Sequence, residues 1–253
     1  MKRTYGWKRD SFDDRDVLMH CGAARPRPLA DLQDLRGATI PPIYDQGPIG
    51  SCTGNGPARA IDQARAEQGL PFLNPSRLGL YYGGRNIEGT TSEDAGCQIR
   101  DVIKVAAKEG AAPESLWPYD PAQFAVKPPD AYYTEAQKHQ ALKYYRVPQA
   151  DYYLGSCLQY DRRVVVFGFE VFPSFESTEV AATGVVPMPG RGETPIGGHC
   201  VTLIGRDVAN DRYLCANSWG TSWGLHGYFW MPRAYVLNSH LASDFWKITL
   251  EEA

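Results

Sequence analysis

Residues 45–57 read DQGPIGSCTGNGP, a loop rich in glycine and proline that carries one cysteine, Cys52. A helical pattern, ARAIDQARAEQ, follows directly in residues 58–68, so the cysteine stands where a helix begins. The first N–H groups of a helix have no partner within it, and the helix dipole is positive at that end, so a thiol placed there tends to ionise. Because the thiolate is the nucleophilic form of cysteine, the stretch predicts a reactive Cys52.

A nucleophilic thiolate needs a base, usually a histidine that is distant in sequence and close in space. Of the five histidines, His199 has the most informative context, GGHCVTLIG, in which two glycines precede the ring and an apolar strand follows it. Asn217 lies 18 residues further on, and its amide oxygen could accept the imidazole N–H and fix the tautomer. The indole of Trp219 could shield that hydrogen bond from water.

A further candidate is Gln46, six residues before Cys52. Its side-chain NH₂ and the backbone N–H of Cys52 could form an oxyanion hole. Taken singly, a loop cysteine, a solvated glutamine and a core tryptophan each have a purely structural explanation, but their order and spacing favour a catalytic set. A phosphate-binding loop is disfavoured, because the stretch lacks the Gly-Lys-Ser/Thr ending of such loops.

Composition limits the other classes of function. The 253 residues carry 26 basic and 29 acidic side chains, a net charge of -3, and no block of like charge that would predict binding to nucleic acid or a membrane surface. No stretch is typical of a signal peptide or a membrane span, so a cytoplasmic protein is expected by default, with non-classical export left open. The six cysteines include no C-x-x-C pair, so we expect free thiols and no zinc site.

The two halves of the chain differ in their patterns. Helical periodicity appears in residues 58–68, 75–85 and 99–108, whereas from residue 163 onward short runs rich in Val, Tyr, Phe and Trp alternate with turn residues. Helices followed by strands predict an α+β protein of two lobes. The predicted domains are an N-terminal arm (1–33), a helical lobe carrying the cysteine (34–147) and a β-rich lobe carrying the histidine (148–253).

Gln46 with Cys52 at a helix start, His199 opening a strand, and NSWGTSWGLHGYFWMPR at residues 217–233 together resemble the papain-like cysteine peptidases. The segment DAGCQIRDVIKVAAKEGAAPESLWPYD resembles the bacterial members. The resemblance implies a papain-like two-lobed fold, with a helical N-terminal lobe, a β-barrel-like C-terminal lobe and the site in the cleft between them. It implies Cys52 as nucleophile, His199 as base and acid, Asn217 as the residue that orients the imidazole, and Gln46 as oxyanion donor. The expected substrate is a peptide or protein, and neither a metal nor an organic cofactor is expected.

The sequence also departs from the family pattern. Ile49 stands where the family has a cysteine, so the usual disulfide from this loop to the region of Cys97 is not expected. Gln98 and Ile99 stand where the family has glycines that bind an extended substrate, and Gly198 replaces the Asp or Asn that often precedes the histidine and widens the approach to it. The expected substrate contacts are Gly198, Trp219, Gln98 and Ile99.

The N-terminal arm supplies apolar side chains, such as Tyr5 and Trp7, and charged ones, such as Asp10, that predict packing on the folded body. Whether the arm also crosses the cleft is left open by the sequence; His20 and the prolines of residues 26–28 lie where the chain could pass near the cysteine. Two other functions also stay open: an acyl transferase or amidase with the same triad, and a papain-like binding module without turnover.

Overall fold

The computed structural model describes residues 4–20, 27–140 and 142–250, which fold into α-helices packed against a large antiparallel sheet. The α-helices of these residues are α1 (Cys52–Ala66), α2 (Arg77–Glu88), α3 (Ile99–Lys108), α4 (Asp130–Ala136), α5 (Asp151–Gln159), α6 (Thr178–Thr183) and α7 (Arg233–Val236). The strands are β1 (Trp7–Lys8), β2 (Leu32–Asp34), β3 (Cys97–Gln98), β4 (Leu142–Arg146), β5 (Val165–Val171), β6 (Gly197–Asp207), β7 (Arg212–Ala216), β8 (Tyr228–Pro232) and β9 (Ala242–Leu250). Short 3-10 helices lie at Pro121–Gln123, Gln137–His139 and Pro173–Glu176.

The predicted α+β class is confirmed, and the three predicted helices correspond to α1, α2 and α3. Helix α2 shows the signals that define a helix: the Ser76 side chain accepts a hydrogen bond from the Gly79 N–H, and Gly89 follows the last helical residue as a left-handed C-cap with φ 70°. Helix α3 buries one face at helical spacing, formed by Ile99, Val102, Ile103 and Ala106.

The seven-stranded sheet has the order β4-β9-β5-β6-β7-β8, and β2 pairs with β6 beyond the end of β5. Its ends, β4 and β8, are not paired with each other, so across the described residues the sheet is open. The β-barrel-like lobe implied by the resemblance is therefore corrected to an open antiparallel sheet. A separate two-stranded parallel pair joins β1 of the arm to β3.

Helix α1 lies against β6, and this contact brings the two halves of the predicted site together. A Cβ atom on Gly56 of α1 would lie 2.9 Å from the Cys200 sulfur of β6, so only glycine permits this approach. One cluster of buried apolar residues includes members of all three predicted domains, whose boundaries stay a prediction. No helix of the described residues has the length and apolarity to cross a bilayer.

Candidate active site

Cys52 is the first residue of α1, as the sequence predicts, and follows the helix N-cap Ser51. Its side chain is fully buried. Burial raises the pKa of the Cys52 thiol to about 11, while hydrogen bonds from the backbone of Cys200 and Gly6 act in the opposite direction. The expected ready ionisation is therefore absent in this state, because desolvation outweighs the effect of the helix terminus.

His199 and Asn217 meet in the interior beside α1. The Nε2 atom of His199 lies 2.8 Å from Oδ1 of Asn217, and both residues are buried. With the proton on Nε2 donated to the amide oxygen, the imidazole has its lone pair on Nδ1. The Trp219 ring stacks on the imidazole at 4.9 Å between centroids with an interplanar angle of 28°, which keeps water from the His199–Asn217 bond.

Gln46 is buried close to this pair and is held by several hydrogen bonds. Its Oε1 accepts from the Ser218 hydroxyl at 2.7 Å, which orients the NH₂ group away from that side. Its Nε2 donates to the Ile49 carbonyl at 2.9 Å and lies 3.4 Å from the Thr4 carbonyl of the arm. The Gln46 NH₂ group, which is the expected donor to a substrate oxyanion, thus faces the Thr4 carbonyl oxygen of the N-terminal arm.

The loop before Cys52 is anchored by the carboxylate of Asp94, a residue that the sequence did not predict to be part of the site. The Gly50 N–H donates to both carboxylate oxygens of Asp94, at 3.0 and 2.9 Å, and the Tyr81 hydroxyl donates to the same carboxylate at 2.6 Å. Asp94 therefore ties this loop to the segment preceding Cys97, and a lone aspartate in a turn gives no sequence signal for that role.

The described cysteines are free, as expected with Ile49 in the loop, whereas Cys21 lies outside the described residues.

Residues 4–8 of the arm run over the start of α1. The Gly6 carbonyl accepts a hydrogen bond from the Cys97 N–H at 2.8 Å, and β1 continues as a parallel partner of β3 with Trp7 opposite Cys97. A Cβ atom on Gly6 would lie only 1.6 Å from the Gly50 carbonyl oxygen. Gly6 is thus in close contact with both the nucleophile loop and β3.

Two aromatic side chains attach this part of the arm to the sheet. The Tyr5 ring lies 6.1 Å from the imidazole of His199 in an edge-on arrangement. Trp7 is 6% exposed and donates from Nε1 to Asp244 at 3.1 Å. A Cβ atom on Gly198 would lie 2.5 Å from the Trp7 carbonyl oxygen, so the approach opened by this glycine is occupied by the arm.

The predicted site residues fall into two groups. Cys52, His199, Asn217, Gln46 and Trp219 lie together around the start of α1. Of the expected substrate contacts, Gln98 pairs with Lys8 of the arm, and Ile99 is fully buried in the first turn of α3. The arm passes the site at residues 4–8, whereas His20 is exposed and residues 21–26 lie outside the described chain.

Comparisons with known proteins agree with this geometry. The sequence model of the family described as papain family cysteine protease matches residues 29–246 of this chain. The chain is 38% identical over 271 residues to peptidase C1-like protein L477 of Acanthamoeba polyphaga mimivirus, covering 98% of this chain and 87% of that protein.

Solved structures give the same result. Xylellain, a cysteine protease from Xylella fastidiosa, matches with a TM-score of 0.91 and 37% identity, covering 100% of this chain and 99% of that one. Digestive procathepsin L 3 from the larval midgut of Tenebrio molitor matches with a TM-score of 0.71 and 20% identity over 93% of this chain and 75% of that one, which shows the fold alone. The predicted two-lobed fold and the likeness to bacterial members are confirmed.

Proposed function

This chain belongs to the papain family of cysteine proteases, and on that premise we propose that Cys52, His199, Asn217 and Gln46 are its catalytic residues. The predicted activity, hydrolysis of peptide bonds by a thiol peptidase, is confirmed at the level of the family. The single observation that most supports the residue assignment is the buried 2.8 Å contact between His199 Nε2 and Asn217 Oδ1 beside the helix that begins at Cys52.

The proposed reaction uses one covalent intermediate. The Cys52 thiolate attacks the substrate carbonyl carbon, an S–C bond forms, and the carbonyl electron pair moves onto oxygen, where Gln46 Nε2 and the Cys52 N–H stabilise it. Imidazolium His199 then protonates the departing amine as the C–N bond breaks. His199 then takes a proton from water as the water oxygen attacks the thioester carbon; the C–S bond breaks, the carboxylic acid product leaves, and the Cys52 thiolate and imidazolium His199 are restored. Asn217 holds the ring in the tautomer that these transfers require.

We further propose that residues 4–8 block this site until the arm moves. The support is that the arm contacts the groups a substrate needs: the Thr4 carbonyl lies 3.4 Å from Gln46 Nε2, the Tyr5 ring lies 6.1 Å from the His199 ring between centroids, and the Gly6 backbone packs against Gly50, two residues before Cys52. Because a substrate carbonyl must use the same donor, the arm and a peptide substrate compete for one place.

The residue assignment is tested with fluorogenic and internally quenched peptides under reducing conditions. We expect Cys52→Ala to abolish turnover and Cys215→Ala, a matched loss of another fully buried thiol, to retain it. Turnover in the Cys52→Ala variant would refute the nucleophile.

An added amine separates hydrolysis from acyl transfer. We expect hydrolysis products to dominate, whereas aminolysis products in excess would favour the transferase alternative, and turnover of either kind excludes a binding module.

Deleting residues 1–8 should raise kcat/KM, whereas a lower melting temperature with unchanged kcat/KM would show that the arm serves packing alone.

A further inference from the structure

The end of helix α2 carries a carboxylate that binds a cationic group of the arm. Glu88 is the last residue of α2, and its side chain is 12% exposed. Its Oε2 lies 2.9 Å from Nζ of Lys8, a side chain that remains 41% exposed. Its Oε1 accepts the backbone N–H of Gln98 at 2.7 Å, which fixes the carboxylate in place.

This carboxylate stands beside the path that an extended chain takes past the nucleophile. In the parallel β1–β3 pair Lys8 is opposite Gln98, the residue whose N–H holds Glu88. Two residues earlier in the arm, the Gly6 backbone packs against Gly50 in the loop that leads into Cys52, and the Gly6 carbonyl accepts the Cys97 N–H at 2.8 Å. An extended peptide in the same place would therefore carry a side chain to Glu88 from a position about two residues from the point where it passes the nucleophile loop.

The local charge favours a cation at this point. The C-terminal end of a helix carries partial negative charge, which adds to the charge of Glu88 on α2. Asp101 of α3 is close enough to interact electrostatically with Glu88 and adds a further negative charge. When the arm leaves, Lys8 leaves with it, and the nearly buried carboxylate loses its cationic partner.

We infer that Glu88 is a specificity-determining residue that binds a lysine or arginine side chain of the substrate, in the place that Lys8 occupies when the arm is docked. The inference rests on the proposed peptidase function and assigns a substrate class to the same site. It concerns recognition of a side chain near the scissile bond and leaves the bond-breaking steps unchanged.

The test uses the full-length protein with octapeptides in which lysine, norleucine or glutamate is placed at each position in turn. The ratio of kcat/KM for lysine over norleucine isolates the side-chain contact, because the fraction of protein with the arm displaced cancels from the ratio. We expect lysine to be favoured about fivefold to thirtyfold at one position, as for a partly buried ion pair, and glutamate to be disfavoured there.

Glu88→Gln should bring the lysine preference close to one. Glutamine keeps an oxygen for the Gln98 N–H while removing the charge, so activity on norleucine peptides should be retained. Because this change also weakens the Lys8 pair, rates on all peptides should rise together, and the ratio remains the decisive quantity. Glu93→Gln, a loss of an exposed carboxylate on the segment that follows α2, should leave the preference intact.

The outcomes distinguish this inference from the proposed function. Cleavage of the peptides with equal lysine preference in wild type and Glu88→Gln would overturn the role of Glu88 and leave the peptidase assignment standing. The Gly6→Ala variant serves here as a protein whose arm cannot dock as in wild type, because the added Cβ would lie 1.6 Å from the Gly50 carbonyl oxygen. If neither wild type nor Gly6→Ala cleaves any of the peptides in a Cys52-dependent way, the proposed function is overturned together with this inference.

Discussion

Replacing Gly6 by alanine is the smallest change that tests whether the arm blocks the cleft. The added methyl carbon would lie 1.6 Å from the Gly50 carbonyl oxygen. Gly50 cannot easily give way, because its N–H is bound to both oxygens of Asp94. The arm itself must therefore move, although the substitution changes no residue of the proposed catalytic set.

The size of the effect follows from these contacts. A carbon–oxygen contact needs about 3.3 Å, so the 1.6 Å separation requires the arm to shift by about 1.7 Å. Such a shift breaks the Gly6–Cys97 hydrogen bond, worth about 0.5–1.5 kcal/mol, and overpacking costs about 1–3 kcal/mol more. Together these weaken docking by about 10-fold to 10³-fold. Since kcat/KM scales with the fraction of protein whose site is open, it should rise by the same factor, up to the value of the enzyme lacking residues 1–8.

The assay is kcat/KM on a fluorogenic peptide, measured beside the melting temperature. Gly190→Ala is the matched control, because its added carbon would meet no atom closer than 3.4 Å, and it should change neither quantity. A Gly6→Ala protein with a lowered melting temperature and kcat/KM within about twofold of wild type would refute the blocking role, since the arm would then have been displaced without opening the site.

Three other predictions concern the same site. Gln46→Ala should lower kcat by about 10² to 10³, as for other side-chain oxyanion donors, and unchanged steady-state kinetics would remove it from the mechanism. Because burial raises the Cys52 pKa to about 11, iodoacetamide should alkylate Cys52 slowly at neutral pH in wild type and faster in Gly6→Ala; equal rates by mass-spectrometric mapping would contradict this. Burial and repulsion by Asp244 raise the pKa of Asp10 from 3.8 to about 7, so arm docking should be strongest below about pH 3.8 and weaken as pH rises through about 7. The kcat/KM ratio of wild type to Gly6→Ala should therefore increase with pH, and Asp10→Asn should flatten that profile; a pH-independent wild-type ratio would refute this.

The helices and the central strands could be predicted because their signals are local. The apolar face of α3 repeats at helical spacing, and the run beginning at Gly197 is continuously apolar enough to mark β6. The core of the site was predictable for a related reason. Cys52, His199 and Asn217 each lie in a short motif whose residue types are set by the chemistry, so their order along the chain carries information before any contact is known.

The path of the arm could not be predicted, because it depends on close contacts between glycines that are far apart in sequence. A Cβ atom on Gly96 would lie 2.1 Å from the Gly6 carbonyl oxygen, and one on Gly50 would lie 3.2 Å from the Gly6 Cα, so the arm passes where neither residue has a side chain. From sequence, Gly198 predicts a wider approach to His199 for a substrate, whereas the structure places Trp7 in the space that the glycine leaves. A glycine that makes room for a distant backbone looks, in sequence, the same as one that makes room for a ligand.

In the proposed blocked state the arm affects the chemistry of the site as well as access to it. With the arm docked, Cys52 is fully buried and its pKa is raised to about 11, so the sulfur is a neutral thiol at physiological pH and a poor nucleophile. Removal of the arm admits water, which removes the desolvation that raises the pKa, while the start of α1 continues to favour the thiolate. The ionised cysteine predicted from the sequence and the neutral thiol of the structure then belong to two states of one residue. We therefore expect the docking equilibrium of residues 4–8 to control both substrate binding and the charge on the nucleophile.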